Sequence, residues 1–207
     1  MVQALQQPTS FDDFVEWLLE NSECRYELHR GIMVEMPKPK GKHSEVAGFV
    51  AAELNFAIRQ QQLPYLIPKA CIVRSRDGFS GYEPDVIVLD RLALAQEPRW
   101  EKESVLSAGA AIKLIVEVVS TNWQDDYSLK LTDYEALGIQ EYWAVEHYAG
   151  LGGRLYIGYP KRPTLSIYAL TSEGEYEVQQ FRGADRLCSP TFPDLDLSAD
   201  QVFAAGG

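Results

Sequence analysis

Cysteine is scarce in this chain: Cys24, Cys71 and Cys188 are the three in 207 residues, far apart and in no paired spacing. That excludes a disulfide framework and a cysteine zinc site. It fits reduced thiols of a cytosol, each read as a small buried hydrophobe. Long apolar runs are missing too. None approaches the roughly 18 residues a bilayer-spanning helix needs, so no membrane association is expected. The opening MVQALQQPTS has neither the basic start nor the apolar core of a secretory signal, and a cytoplasmic location is the expectation. Positive charge is short: the net charge is −11, whereas a dedicated nucleic-acid binder is usually basic. There is no glycine-rich phosphate loop leading into a helix, because GLGG (150–153) joins two segments that read as strands. No grouping of serine, cysteine or histidine suggests a covalent nucleophile, and there are no repeats or low-complexity segments.

The little positive charge present is unevenly placed. Between Met36 and Arg76 stand seven basic residues (Lys38, Lys40, Lys42, Arg59, Lys69, Arg74, Arg76) and two acidic ones, Glu45 and Glu53. That segment is net +5 and the remainder −16. It is either a local basic surface on an acidic protein or a solvated face without a partner.

Apolar periodicity divides the chain into alternating elements. Ser10 ahead of FDDFVEWLLEN marks a capped first helix, with Phe14, Trp17 and Leu18 on one face. YELHRGIMVEMP reads as two short strands turning near Gly31. GKHSEVAGFVAAELNFAIRQQQ carries Val46, Phe49, Val50, Leu54, Ala57 and Ile58 at helical spacing. YLIPKACIVRS and YEPDVIVLD are extended, and residues 91–111 form a weakly patterned connection. IKLIVEVVS is the most apolar strand and so the central one, and QDDYSLKLTDYEALG is an amphipathic helix stopped by Gly138. EYWAVEHY is a further strand. RLYIGY, TLSIYAL and EYEVQQF then alternate as an antiparallel meander, and DLSADQVFA forms a last short helix. The pattern is one α/β domain over residues 1–207, with a mixed sheet, flanking helices and extra antiparallel C-terminal strands.

Two of these strands carry a carboxylate where apolar side chains are expected. Alternation places Glu117 with Ile115 and Val119 on one face, opposite Leu114, Val116 and Val118. In YEPDVIVLD the same rule groups Asp85 with Ile87 and Leu89, and Pro84 suits a strand start. If the two strands are neighbours in register, the carboxylates converge, and they repel unless a proton or cation intervenes. Mg²⁺ or Mn²⁺ is the natural mediator for one or two carboxylates plus water and phosphate oxygens. In the following helix Tyr127, Leu131 and Tyr134 form the stripe that faces the sheet. Lys130 lies about 40° from Tyr134 on that wheel, at the edge of the buried face. Asp126 stands one turn before it, within reach of its ammonium.

An aspartate in a Pro-Asp pair, a glutamate in a buried strand and a lysine together resemble the PD-(D/E)XK nuclease superfamily. More closely, the chain resembles its bacterial Uma-two family of restriction endonucleases. The matching stretches are RYELHRGIMVEMP, KHSEVAGFVAAEL, Pro84-Asp85, EVVS (117–120), the Asp126…Lys130 pair and YEALGIQEYWAVE, with FPDLDL near the end. The resemblance implies a restriction-endonuclease-like fold and metal-dependent hydrolysis of DNA phosphodiester bonds. It implies Asp85, Glu117 and Lys130 as catalytic residues, and Asp85, Glu117 and the Val118 carbonyl as ligands of Mg²⁺ or Mn²⁺. The superfamily's usual lysine position, two residues after the glutamate, is Val119 here; the Uma-two pattern takes its lysine from the next helix, where Lys130 matches. His43 falls on the family's helix-start histidine, and its role and that of Glu45 stay open. Glu83 replaces the more usual basic residue before Pro-Asp. By analogy with nucleases that cut both strands, a homodimer is expected.

Bland alternatives stand beside these readings. Glu117 would also suit a structural ion pair with an arginine, and Lys130 a surface lysine. Tyr134, Tyr142 and Trp143 have core spacing. The acidic net charge and Val119 leave open a non-catalytic nucleic-acid or protein-binding module that keeps the fold. A hydrolase of another phosphoester would use the same metal site.

Overall fold

The computed structural model describes residues 8–21, 23, 25–148 and 150–207. The chain enters through helix α1 (Phe11–Glu20), capped by the Ser10 hydroxyl, which accepts from the Asp13 amide at 3.1 Å. Strands β1 (Tyr26–His29) and β2 (Ile32–Glu35) form a hairpin whose turn puts Arg30 and Gly31 at positive φ. Helix α2 (Gly41–Gln60) follows, then β3 (Tyr65–Leu66), β4 (Ile72–Arg74), β5 (Gly81–Tyr82) and β6 (Val86–Asp90). The connection 91–111 is not plain coil. It holds α3 (Arg91–Leu94), α4 (Trp100–Glu103) and β7 (Val105–Leu106), each too short to leave a periodic signal.

Strand β8 (Ile112–Val118) leads into a π-helical segment, Asp125–Lys130, which continues as α5 (Leu131–Leu137). Gly138, at φ +80°, terminates that helix in the left-handed conformation a glycine adopts without steric cost. After β9 (Glu141–Glu146) come α6 (Arg154–Ile157), β10 (Thr164–Leu170), β11 (Tyr176–Phe181) and α7 (Ala199–Ala204). The expected meander therefore has two strands. RLYIGY is not one of them: Arg154–Ile157 makes a helical turn ended by Gly158 at φ +77°. A helix thus does follow GLGG.

Two sheets carry the fold. The larger has the order β11-β10-β9-β8-β6-β3, and the smaller β2-β1-β5-β4-β7. In the larger sheet β8 pairs parallel with β9 and antiparallel with β6, so the most apolar strand is indeed internal. A parallel pair needs a long crossover, and that crossover carries the π-segment and α5. One face, with Val86, Val88, Leu114, Val116 and Val118, packs on Val46, Val50 and Leu54 of α2 and Val202 of α7. The other face, with Ile87, Leu89, Ile115 and Val119, packs on Tyr127 and Tyr134 of the crossover and Val73 and Tyr82 of the small sheet. Each such aliphatic side chain contributes about 1.5–3 kcal/mol on full burial. The two faces are those that strand alternation assigns.

Cys71 is buried, as expected, but Cys188 is exposed on the irregular segment before α7. It follows β11 where the chain no longer alternates between interior and surface. Cys24 and the N-terminal stretch 1–7, on which the reading of a missing secretory signal rests, lie outside the described residues. Among the described residues no helix is long and apolar enough to cross a membrane.

Candidate functional site

Pairing of Val86 with Val116 across β6 and β8 sets Asp85 and Glu117 one step further along the same ladder, on the same face. Asp85 is anchored by its own neighbour strand: its Oδ2 accepts from the Val118 amide at 2.8 Å. His43, in the first turn of α2, brings Nε2 to 3.2 Å from the same oxygen. Glu117, 3% exposed, accepts through Oε1 from the Tyr134 hydroxyl at 2.8 Å and from Lys130 Nζ at 3.1 Å.

Lys130 is the centre of the cluster. It is 3% exposed, so it lies inside the buried face rather than at its edge. The π-turn explains the difference from the helical wheel. Its wider ring turns Asp126, Tyr127 and Lys130 inward together, and all three are buried. Beyond Glu117, Lys130 Nζ lies 3.1 Å from Glu27 Oε1 and 3.7 Å from Asp126 Oδ1. The Tyr82 ring stands 5.8 Å from the ammonium. Asp126 is fixed from behind by the Tyr142 hydroxyl, which donates to its carbonyl at 3.0 Å.

The electrostatics follow from too many carboxylates in too little water. Burial pushes the Glu117 carboxyl well above the usual carboxylate range; Lys130 opposes this, while Asp85, Asp126 and Glu27 add to it. Burial likewise raises Asp126 to about 7 against the pull of Lys130. Burial works against the Lys130 ammonium as well, but Glu117, Glu27 and Asp126 outweigh it and hold the lysine well above its ordinary value. For Glu27, burial is overcome by Lys130 and His29, leaving the carboxyl below its usual value. For His43, burial is overcome by Asp85 and the Val118 backbone, leaving the imidazole above its usual value.

These residues line one cavity of about 260 Å³. Glu27, His43, Asp85, Glu117, Asp126 and Lys130 contribute to it, as do the exposed Lys38 and Lys40. His43 is thereby drawn in, whereas Glu45 points to solvent from α2 and is not part of the wall. Glu83 lines the cavity, but its carboxylate is held 3.1 Å from Arg25 Nε. The partner of Glu117 is a lysine, not the arginine of a structural pair. Glu27 escaped the sequence reading. The one available signal was the Glu-x-His spacing in YELH, which puts both side chains on one strand face; nothing local says which sheet that strand joins.

The donor set fits a hard divalent cation. Asp85 Oδ2 and Glu117 Oε1 are engaged, and the other oxygen of each carboxylate makes no hydrogen bond among the described residues. Among those residues no three His, Cys, Asp or Glu side chains converge as a ready-made cage. The arrangement suits Mg²⁺ or Mn²⁺, which take one or two carboxylates and keep several waters.

Over residues 11–200 the chain matches the model of the Uma2 family, described as "Putative restriction endonuclease". Its fold is similar to a crystal structure from Anabaena variabilis described as a "putative nuclease belonging to DUF820". The TM-score is 0.72 at 18% identity, covering 97% of this chain and 100% of that one. No curated protein matches the chain.

Proposed function

This chain belongs to the Uma2 family, and from that premise we propose that it is a metal-dependent endonuclease hydrolysing DNA phosphodiester bonds. The observation that carries the reading is the buried Lys130 ammonium held 3.1 Å from Glu117, in a cavity that also receives Asp85. One ammonium faces Glu27, Glu117 and Asp126, an excess of carboxylates that either a proton or a further cation relieves, and the reading takes the cation.

Asp85 and Glu117, with the Val118 carbonyl, would hold Mg²⁺ or Mn²⁺. When bound, that ion supplies an activated water and neutralises charge on the phosphoryl oxygens. His43 keeps Asp85 oriented through its 3.2 Å contact. Lys130 orients the attacking water or stabilises the negative charge that develops on the phosphorus oxygens. Lys38 and Lys40, exposed at the cavity, hold backbone phosphates of the substrate. Residues 1–207 act as one nuclease domain, in the cytoplasm, and two copies would be needed to cut both strands.

The test is Mn²⁺ calorimetry and DNA cleavage on the wild type and on Asp85→Asn, with circular dichroism as folding control. The variant keeps an acceptor for the Val118 amide but loses the charge. Metal binding should disappear and cleavage fall by at least about 100-fold. Unchanged cleavage by a folded Asp85→Asn would remove the aspartate from the reaction. Val119, at the superfamily's usual lysine position, favours one second reading: a nucleic-acid-binding module without catalysis. It predicts salt-sensitive DNA binding indifferent to Asp85→Asn, and no cleavage by the wild type.

A further inference from the structure

Glu27 is a charged side chain in the middle of a short strand, 1% exposed, contributed by the small sheet to a site otherwise built on the large one. Its contacts come from three segments. Oε1 lies 3.1 Å from Lys130 Nζ on the crossover and accepts from the Glu83 amide, also at 3.1 Å. Oε2 pairs with His29 Nε2 at 2.8 Å. The Glu83 amide stands two residues before Asp85, in the short segment that leads from β5 to β6. Both oxygens are therefore engaged by the protein itself.

We infer that Glu27 is a positioning residue: it holds the Lys130 ammonium and the segment carrying Asp85 in one frame. The inference rests on the endonuclease reading above for its kinetic consequence, but not for its structural one. Without Glu27, Lys130 keeps Glu117 and Asp126 as partners and is free to lean towards them, while the Glu83 amide loses its acceptor. His29 supports the arrangement from behind; its ring packs edge-on against Tyr82, 5.5 Å away, whose own ring faces Lys130. The small sheet thus does more than cover the large one: through β1 and β5 it delivers the brace.

Glu27→Gln preserves shape and an acceptor oxygen, and Glu27→Asp preserves charge but shortens the reach by one methylene. With both variants shown to be folded by circular dichroism, KM for DNA and Mn²⁺ affinity should be unchanged. The kcat should fall by about 100-fold, the loss that small misplacement of a reacting group produces. Independently of activity, the Lys130 ammonium should give a resolved ¹⁵N resonance, identified by its absence in Lys130→Met. It should shift or broaden in both Glu27 variants. A Lys130 resonance unmoved by either variant would overturn the inference. So would a loss of Mn²⁺ affinity parallel to kcat, which would make Glu27 a ligand. If the wild type cleaves no DNA, the nuclease reading fails, and the resonance still decides the placement of Lys130 by Glu27.

Discussion

Two buried glutamates on adjacent parallel strands of the large sheet have opposite surroundings. Glu141 opens β9, and all its partners are neutral: the Trp143 indole donates at 2.5 Å, the Ser189 hydroxyl at 3.0 Å and the Thr191 amide at 2.8 Å. Burial raises its carboxyl above the usual range, these hydrogen bonds limit the rise, and Glu141 is not part of the wall of the Lys130 cavity. Glu117 lies towards the other end, near the carboxyl end of β8, bonded by an ammonium and a hydroxyl, on a cavity that Glu27, Glu83, Asp85 and Asp126 also line. A carboxylate in an apolar strand is therefore not by itself a sign of chemistry. What separates the two ends is whether its donors are neutral and complete, or charged and insufficient. The carboxyl ends of parallel strands are also where α/β sheets commonly place their ligands.

The sharpest way to probe the difference is to remove the cation. Lys130→Ala leaves Glu27, Glu117 and Asp126 facing one another without an ammonium, and losing one partner of a buried ion pair costs about 3–5 kcal/mol. Thermal denaturation in chelator should show a large drop in Tm. An unaltered Tm would mean that the three carboxylates are not charged in the folded protein.

A smaller effect should distinguish the two glutamates directly. Glu141→Gln replaces an acceptor oxygen by a donor among three donors and should cost about 1–3 kcal/mol in urea denaturation, with Mn²⁺ binding intact. Glu117→Gln should do the reverse, abolishing Mn²⁺ binding while leaving stability near that of the wild type. Equal behaviour of the two variants in both measurements would erase the comparison.

The smallest effect is a slope. Asp126 titrates at about 7 in the folded protein against 3.8 as its ordinary value. Between those values the folded state keeps a proton that the unfolded chain has lost, so this group's contribution to stability declines as pH rises from about 4 through 7. Without metal, the stability difference between wild type and Asp126→Asn should follow that decline across the window. A difference independent of pH would place the titration elsewhere.

Legibility in the sequence tracked how local each cause is. Asp85 and Glu117 were readable because strand alternation is a two-residue rule, and the flanking valines and isoleucines fixed the faces. Lys130 was half readable: its helix is evident, but a π-turn obeys no three-to-four-residue periodicity, so the wheel set the lysine at an edge. Glu27 was hidden because its role depends on β1 pairing with β5, some fifty residues away in the chain. RLYIGY misled for the opposite reason. Its apolar residues suit a strand, but the chain turns at Gly153 and again at Gly158, leaving room for a single helical turn. GLGG, which resembles a phosphate cradle, is filled from within: the amides of Gly150, Leu151 and Gly152 all donate to Glu146.

The π-turn has one more consequence, which concerns insertions and deletions rather than substitutions. A ring closed from i to i+5 holds one residue more than the ring of an ordinary helical turn. The inward aim of Lys130 is therefore set by the count of residues between Gln124 and Leu131 as much as by the lysine itself. Loss of a single codon in that stretch would leave Asp85, Glu117 and the lysine all encoded, yet rotate the lysine off the cavity. Among relatives of this chain, a silent site could thus differ from a working one in length alone, with every signature residue still in place.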